Sequence, residues 1–161
     1  MTHEERFCME DTLAHIRLFQ TYMRWAIDML MNQMIWHDHS KLSPEAFDTF
    51  VEYGPKLRNC TYGSEEYKGF LAGMKKALDY HYEQEDHHPE HHEDGIRRMD
   101  LISILAMFLD WRSATERHHD GDIRRSIEHN QKRFGYSDDV KQILLNTCDL
   151  LDRFPTGRRE T

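Results

Sequence analysis

Basic charge is in short supply: 21 Lys and Arg stand against 29 Asp and Glu, a formal net charge of −8. Nonspecific affinity for duplex nucleic acid comes from lysines and arginines that displace counterions, so this balance argues against a duplex-binding surface. Cysteine is scarce too. Cys8, Cys60 and Cys148 are odd in number, scattered and in no C-x-x-C spacing, which reads as reduced thiols of a cytoplasmic protein rather than a disulfide framework. The longest apolar run, Leu101 to Leu109, is interrupted by Ser103 and ended by Asp110, well short of the roughly 20 residues a membrane helix needs. A soluble protein with no membrane partner is expected. The charged start from Met1 to Arg6 leads into no apolar segment, so nothing there directs secretion. Strand-like alternation and a glycine-rich phosphate loop are missing as well.

What is present is helical periodicity. The 161 residues match one ordinary domain and suffice to bury a core without disulfide staples. A first helix is predicted from Asp11 to Trp36, uninterrupted by Gly or Pro. His15, Phe19, Tyr22, Ala26, Met29 and Gln33 form its stripe, and Arg17, Gln20, Arg24, Asp28 and Asn32 its wet face. Ser43 and Pro44 then suit the start of a short helix carrying Phe47, Phe50 and Val51 and ending by Gly54-Pro55. Ser64 opens a third, with Tyr67, Leu71, Met74 and Leu78 as its stripe, a line that continues onto His81 and turns that imidazole inward. Glu83 to Gly95 reads as a loop. Met99 to Ala114 is apolar nearly all round and is expected to be the central helix, with Asp110 inside it. A helix from Ile123 to Arg133 and a last one opened by Ser137 complete the chain, and 155–161 reads as a frayed tail. The expectation is a single all-α domain, 1–161, of about six helices.

Histidine is the unusual residue type. There are 12, and His87, His88, His91 and His92 fall within one short acidic tract, a composition associated with metal binding. His37 and Asp38 stand side by side where the first helix gives way to the next, with Lys41 three residues on. A carboxylate at Asp110 on an apolar helix would be costly to bury alone, so it requires a cation; a metal is one candidate, and Arg97 or Arg112 is another.

The His37-Asp38-x-x-Lys41 arrangement resembles the motif of the HD superfamily of metal-dependent phosphohydrolases. That resemblance implies an HD-domain-like fold in which His37, Asp38, His81, His87 or His88 and Asp110 hold one or two divalent transition-metal ions, with Asp38 bridging when there are two. Imidazole and carboxylate ligands suit Mn, Fe, Co, Ni or Zn alike. Over nearly its whole length the chain also resembles an uncharacterised bacterial and phage family, domain of unknown function 5662. The residues that carry this are His37-Asp38-x-Ser40-Lys41, His87-His88-Pro89-Glu90-His91, Asp110-Trp111, Ala114 to His118, Asp120 to Ile123 and Arg133-Phe134-x-Tyr136-Ser137-Asp138. HD enzymes use a further histidine before the motif, and His15 is the only one between His3 and His37. On one straight helix the two would lie about 33 Å apart. Either the helix breaks near Trp25, or His15 serves a second subunit's site, or it packs; packing is the reading adopted.

The function implied is hydrolysis of a phosphate ester or anhydride in a small, nucleotide-like molecule, with Lys41 binding phosphate as a point charge and Arg117 or His118 assisting. The same ligand types would also serve a di-iron oxygenase of HD type, or a non-catalytic helical protein that binds metal and a partner. The sequence admits a homodimer without requiring one.

Overall fold

Helix formation begins at Thr2, whose hydroxyl oxygen accepts from Glu5 N at 3.1 Å while the Glu5 carboxylate accepts from Thr2 N at 2.7 Å. This reciprocal cap satisfies two of the amides that a helix start leaves without partners. The computed structural model, which describes residues 1–61, 64–117 and 121–153, accordingly carries α1 from His3 to Trp36, about two turns longer at its start than the periodicity alone predicts. The chain divides into two compact units, Met1–His37 and Asp38–Thr161. The first contains one helix and no second element to pack on, so no residue of α1 is buried. That overturns the expected inward stripe, and His15, assigned to packing, is exposed. His37 leaves the helical region at φ −49°, ψ 128° and ends α1.

The second unit runs through α2 (Phe47–Asn59), α3 (Glu65–Gly73), α4 (Lys75–Gln84), α5 (Leu101–Thr115), α6 (Ile123–Phe134) and α7 (Asp138–Leu151), with short 3-10 turns at His39–Leu42, Pro89–His91 and Gly95–Arg98. Among the described residues there is no strand, and the α-helices number seven rather than about six. The extra one arises at Gly73-Met74, where a single predicted helix becomes α3 and α4. A Cβ on Gly73 would meet the Tyr53 phenol, its oxygen and ring edge, at 2.6 to 2.9 Å, so the bare backbone there lets α2 approach, and the helices part at buried Met74. Two boundaries of α2 also differ. Residues 43–46 form a turn instead of its first helical residues, and Pro55 lies inside it. The helix outlasts the proline because half-buried Tyr53 and Leu57 flank it at i, i+4 spacing, Tyr53 against Phe70 with ring centroids 6.2 Å apart.

The core sits between α5, α6 and α7. Phe108 and Met107 from α5, Ile123 and Ile127 from α6, and Leu144 and Cys148 from α7 are buried together with Ile96, Met99 and Tyr136. The i, i+4 spacings in α6 and α7 place those pairs on one face each. In α5, Leu101 is 83% exposed, so that helix buries one face rather than its whole circumference. Asp100, Asp122 and Ser137 cap the three helices by accepting from backbone amides one turn on. Gly135 ends α6 at φ 66°, a left-handed conformation for which glycine carries no side-chain penalty. Next to it, the buried Tyr136 hydroxyl donates to Ile127 O, and burial pushes the phenol up to about 12. The expected tail at 155–161 lies outside the described residues.

Removing the Tyr136 hydroxyl leaves the Ile127 carbonyl without that donor in the core. Tyr136→Phe is predicted to cost about 1–3 kcal/mol, seen as a lower urea midpoint with an unchanged slope in equilibrium unfolding.

Candidate metal centre

Asp38 opens the second unit in an uncommon conformation. At φ 61°, ψ 7° it is the one non-glycine residue with positive φ among the described residues. Aspartate tolerates this region better than most side chains. The left-handed turn is followed by the 3-10 turn His39–Leu42, which brings Ser40 and Lys41 back beside α4. His37, the last residue of the first unit, precedes Asp38 by one peptide bond.

On α4, His81 is 1% exposed, inward as its stripe implies, and its ring meets Phe50 edge-on at 6.1 Å. Both of its nitrogens are committed. Nδ1 lies 2.7 Å from Ser40 Oγ; Nε2 lies 2.8 Å from His88 Nε2 and 3.4 Å from Asp38 Oδ1. The Ser40 hydroxyl has one proton, and it donates that proton to Glu85 Oε1 at 2.7 Å, with Ser40 N donating to the same oxygen at 3.2 Å. Ser40 Oγ is therefore left as an acceptor toward the imidazole, which places the His81 proton on Nδ1 and a lone pair on Nε2. That lone pair faces Asp38 and His88. Hydrogen-bonding one histidine nitrogen to fix the tautomer at the other is how metal-ligating imidazoles are oriented.

The charge on His81 agrees with this assignment. Burial first, and then the neighbouring Lys41 ammonium, lower its pKa from 6.5 to about 4, so the ring is neutral at neutral pH and its approach to Asp38 is a polar contact, not an ion pair. Lys41 Nζ is the cation on that carboxylate, 2.6 Å from Asp38 Oδ2, with both side chains 29% exposed.

The His-rich tract separates into two pairs. His91 Nδ1 lies 3.1 Å from Tyr82 O and His92 Nε2 lies 2.9 Å from Asp86 O, so each ring donates to a backbone carbonyl and holds the loop's shape. His87, fully buried, and His88, half-buried, lie with ring centroids 4.2 Å apart and ring planes tilted by 41°, among the other candidate donors. The 3-10 turn that follows them is tied to α6 by the Arg133–Glu90 ion pair.

Among residues of the second unit, two overlapping donor sets result. Asp38, His81 and His88 each offer an atom within 4.8 Å of the others, and so do His87, His88 and Asp110. They share His88. Asp110 is half-buried on α5 rather than fully buried as expected, and Arg112, one of its suggested partners, lies on Glu116 at 2.9 Å and Asp152 at 3.3 Å. Arg117 is exposed just past α5, about two turns from Asp110 along the chain, and His118 lies outside the described residues. Sequence reasoning missed Glu85 altogether and took Ser40 only as part of a motif. The available signal was position: Glu85 follows His81 by four residues, one helical turn on the same side.

The sequence model described as Family of unknown function (DUF5662) matches residues 4–150, and the chain belongs to that family. No curated protein matches the chain, and no solved structure does.

The lowered pKa of His81 sets a pH dependence for the metal-free protein. Below 6.5 an unfolded histidine takes up a proton that folded His81 refuses until about pH 4, so the unfolded state binds more protons in that window. Stability is complete above the window and falls as pH drops through it, by up to about 3 kcal/mol from this residue. The fall in melting temperature between pH 6.5 and pH 4 should be shallower in His81→Gln, and identical slopes would show that His81 does not titrate this way.

Proposed function

We propose that this member of a family of unknown function is a metal-dependent phosphohydrolase of HD type, acting on a nucleotide-like or other small phosphorylated molecule. The observation that carries the reading is the convergence of Asp38, His81 and His88, and of His87, His88 and Asp110, beside a lysine. The donors fit a divalent ion: neutral imidazoles and carboxylates are the ligands of Mn, Fe, Co, Ni and Zn, and His81 presents a lone pair to its neighbours. Asp38, His81, His87, His88 and Asp110 would hold one or two ions, and His37, covalently next to Asp38, would join them. When bound, the metal supplies Lewis-acid stabilisation of phosphoryl charge and a source of hydrolytic nucleophile at neutral pH.

The chain's own residues then have separate tasks. Ser40 and Glu85 hold His81 in one tautomer, so the site is organised before a ligand arrives. His81 and His88, 2.8 Å apart at their Nε2 atoms, share one proton between them in the metal-free chain; for both Nε2 atoms to hold an ion, that proton would have to shift to His88 Nδ1. Lys41 neutralises Asp38 while the metal is absent. With Asp38 holding a metal, the Lys41 ammonium would be available to a phosphate oxygen, where it would act as a point charge. Arg117 and His118 would add charge from beyond α5. Lys41 is also what favours hydrolysis over the di-iron oxygenase and the non-catalytic metal-binding readings, since neither calls for a cation beside the ligands.

Elemental analysis of the untagged, purified protein should find transition metal in wild type and its loss in Asp38→Ala and His37→Ala. Lys41→Ala should keep its metal, because it removes the cation that competes for Asp38. That variant should also turn over a phosphorylated nucleotide about 10 to 100 times more slowly, the loss of one charged hydrogen bond to phosphate. Full metal retention in Asp38→Ala would contradict the metal assignment, and unchanged kinetics in Lys41→Ala across a nucleotide panel would contradict the phosphate assignment.

A further inference from the structure

α1 carries more exposed apolar surface than a solitary helix needs. Met9, Leu13, Ile16, Phe19, Met23 and Ile27 are all exposed, and such a surface on one element marks an interaction site. Its pattern is specific. Leu13, Gln20, Ile27 and Met34 repeat every seven residues, and Met9, Ile16, Met23 and Leu30 repeat with them, offset by three. These are the a and d positions of a heptad seam sustained over about four heptads, the signature of a coiled coil. Met9, Leu13, Ile16, Met23 and Ile27 are 42–51% exposed and Leu30 is half-buried, so the seam is open from Met9 to Ile27.

We propose that this seam pairs with the same seam of a second copy of the chain, antiparallel, to make a homodimer. Charge selects the partner and the direction. The e positions flanking the seam hold Glu10, Arg17, Arg24 and Met31, and the g positions hold Glu5, Thr12, Phe19, Ala26 and Gln33. A parallel pair would set Glu5 of one copy against Glu10 of the other. In the antiparallel register that places Met9 opposite Ile27, Leu13 opposite Met23 and Ile16 opposite Gln20, Glu10 of each copy meets Arg24 of the other. Phe19 meets its own counterpart on the two-fold axis.

The two Arg17 residues also approach on that axis, at a cost softened by their length and by solvent. Gln20 is the polar residue in the middle of the seam, and a single polar a position fixes register at some expense of stability. Helix length suits the pairing: 34 residues extend about 51 Å, and the a, d, e and g positions come to roughly 20 residues a side, the size of a standard interface. The pairing is isologous and closes on itself, so it gives a dimer and not a fibre.

Sedimentation velocity on the full chain tests it. Wild type is expected at twice the 19.4 kDa chain mass, and Ile16→Lys combined with Met23→Lys at the single-chain mass, with metal content unchanged. Glu10→Arg should weaken the dimer about tenfold by turning both cross-pairs repulsive, and adding Arg24→Glu should restore it. The restoration separates pairing from misfolding, because two wrong charges recover only if they meet. A single-chain mass for wild type would overturn the proposal. So would a dimer indifferent to the seam variants, or a charge exchange that fails to rescue.

Discussion

One proton organises the candidate site. Ser40 gives its hydroxyl hydrogen to Glu85, and that commitment makes its oxygen an acceptor for His81 Nδ1. Everything on the other side of the ring follows: the lone pair on Nε2, its approach to His88 and Asp38, and the neutrality that burial enforces. A protonated imidazole there would repel both Lys41 and an incoming cation. The interaction connects residues distant in sequence, and it depends on the left-handed turn at Asp38 that carries Ser40 to α4.

The rest of the second unit keeps that arrangement in place. The apolar core of α5, α6 and α7 fixes the helix that bears Asp110, and Arg133 on α6 reaches Glu90 to hold the turn behind His87 and His88. His91 and His92 spend their ring protons on backbone carbonyls, which satisfies polar groups that the loop would otherwise leave exposed to competition with water. The tract is thus a structural clamp at one end and a donor set at the other, although its four histidines are alike in composition.

Much of this was legible from residue order because helical periodicity is local. The stripe from Tyr67 through Leu78 pointed to an inward His81, and the cap residues Ser64 and Ser137 marked their helix starts correctly. The capping pair Thr2 and Glu5 would have placed the start of α1, but it precedes the apolar pattern and carries no hydrophobic signal of its own. Other features depend on contacts between distant segments, which spacing does not encode. The break at Met74 falls where Tyr53 comes up against Gly73. Glu85 matters because a turn some 45 residues earlier in the chain returns Ser40 to it. The exposure of α1 follows from the lack of a second element in its own unit, and an amphipathic pattern reads the same whether its partner lies in the same chain or in another.

The central claim is that Asp38, His81 and His88 are donors to one ion, with Ser40 and Glu85 behind them. Anomalous diffraction from crystals of the purified protein, recorded on both sides of the absorption edge of the metal it contains, tests that claim most directly. The account predicts an anomalous peak about 2 Å from the three donor atoms, with Ser40 and Glu85 off the ion. An anomalous signal found only elsewhere in the crystal, with His81 Nε2 still on His88 and no ion between them, would contradict it.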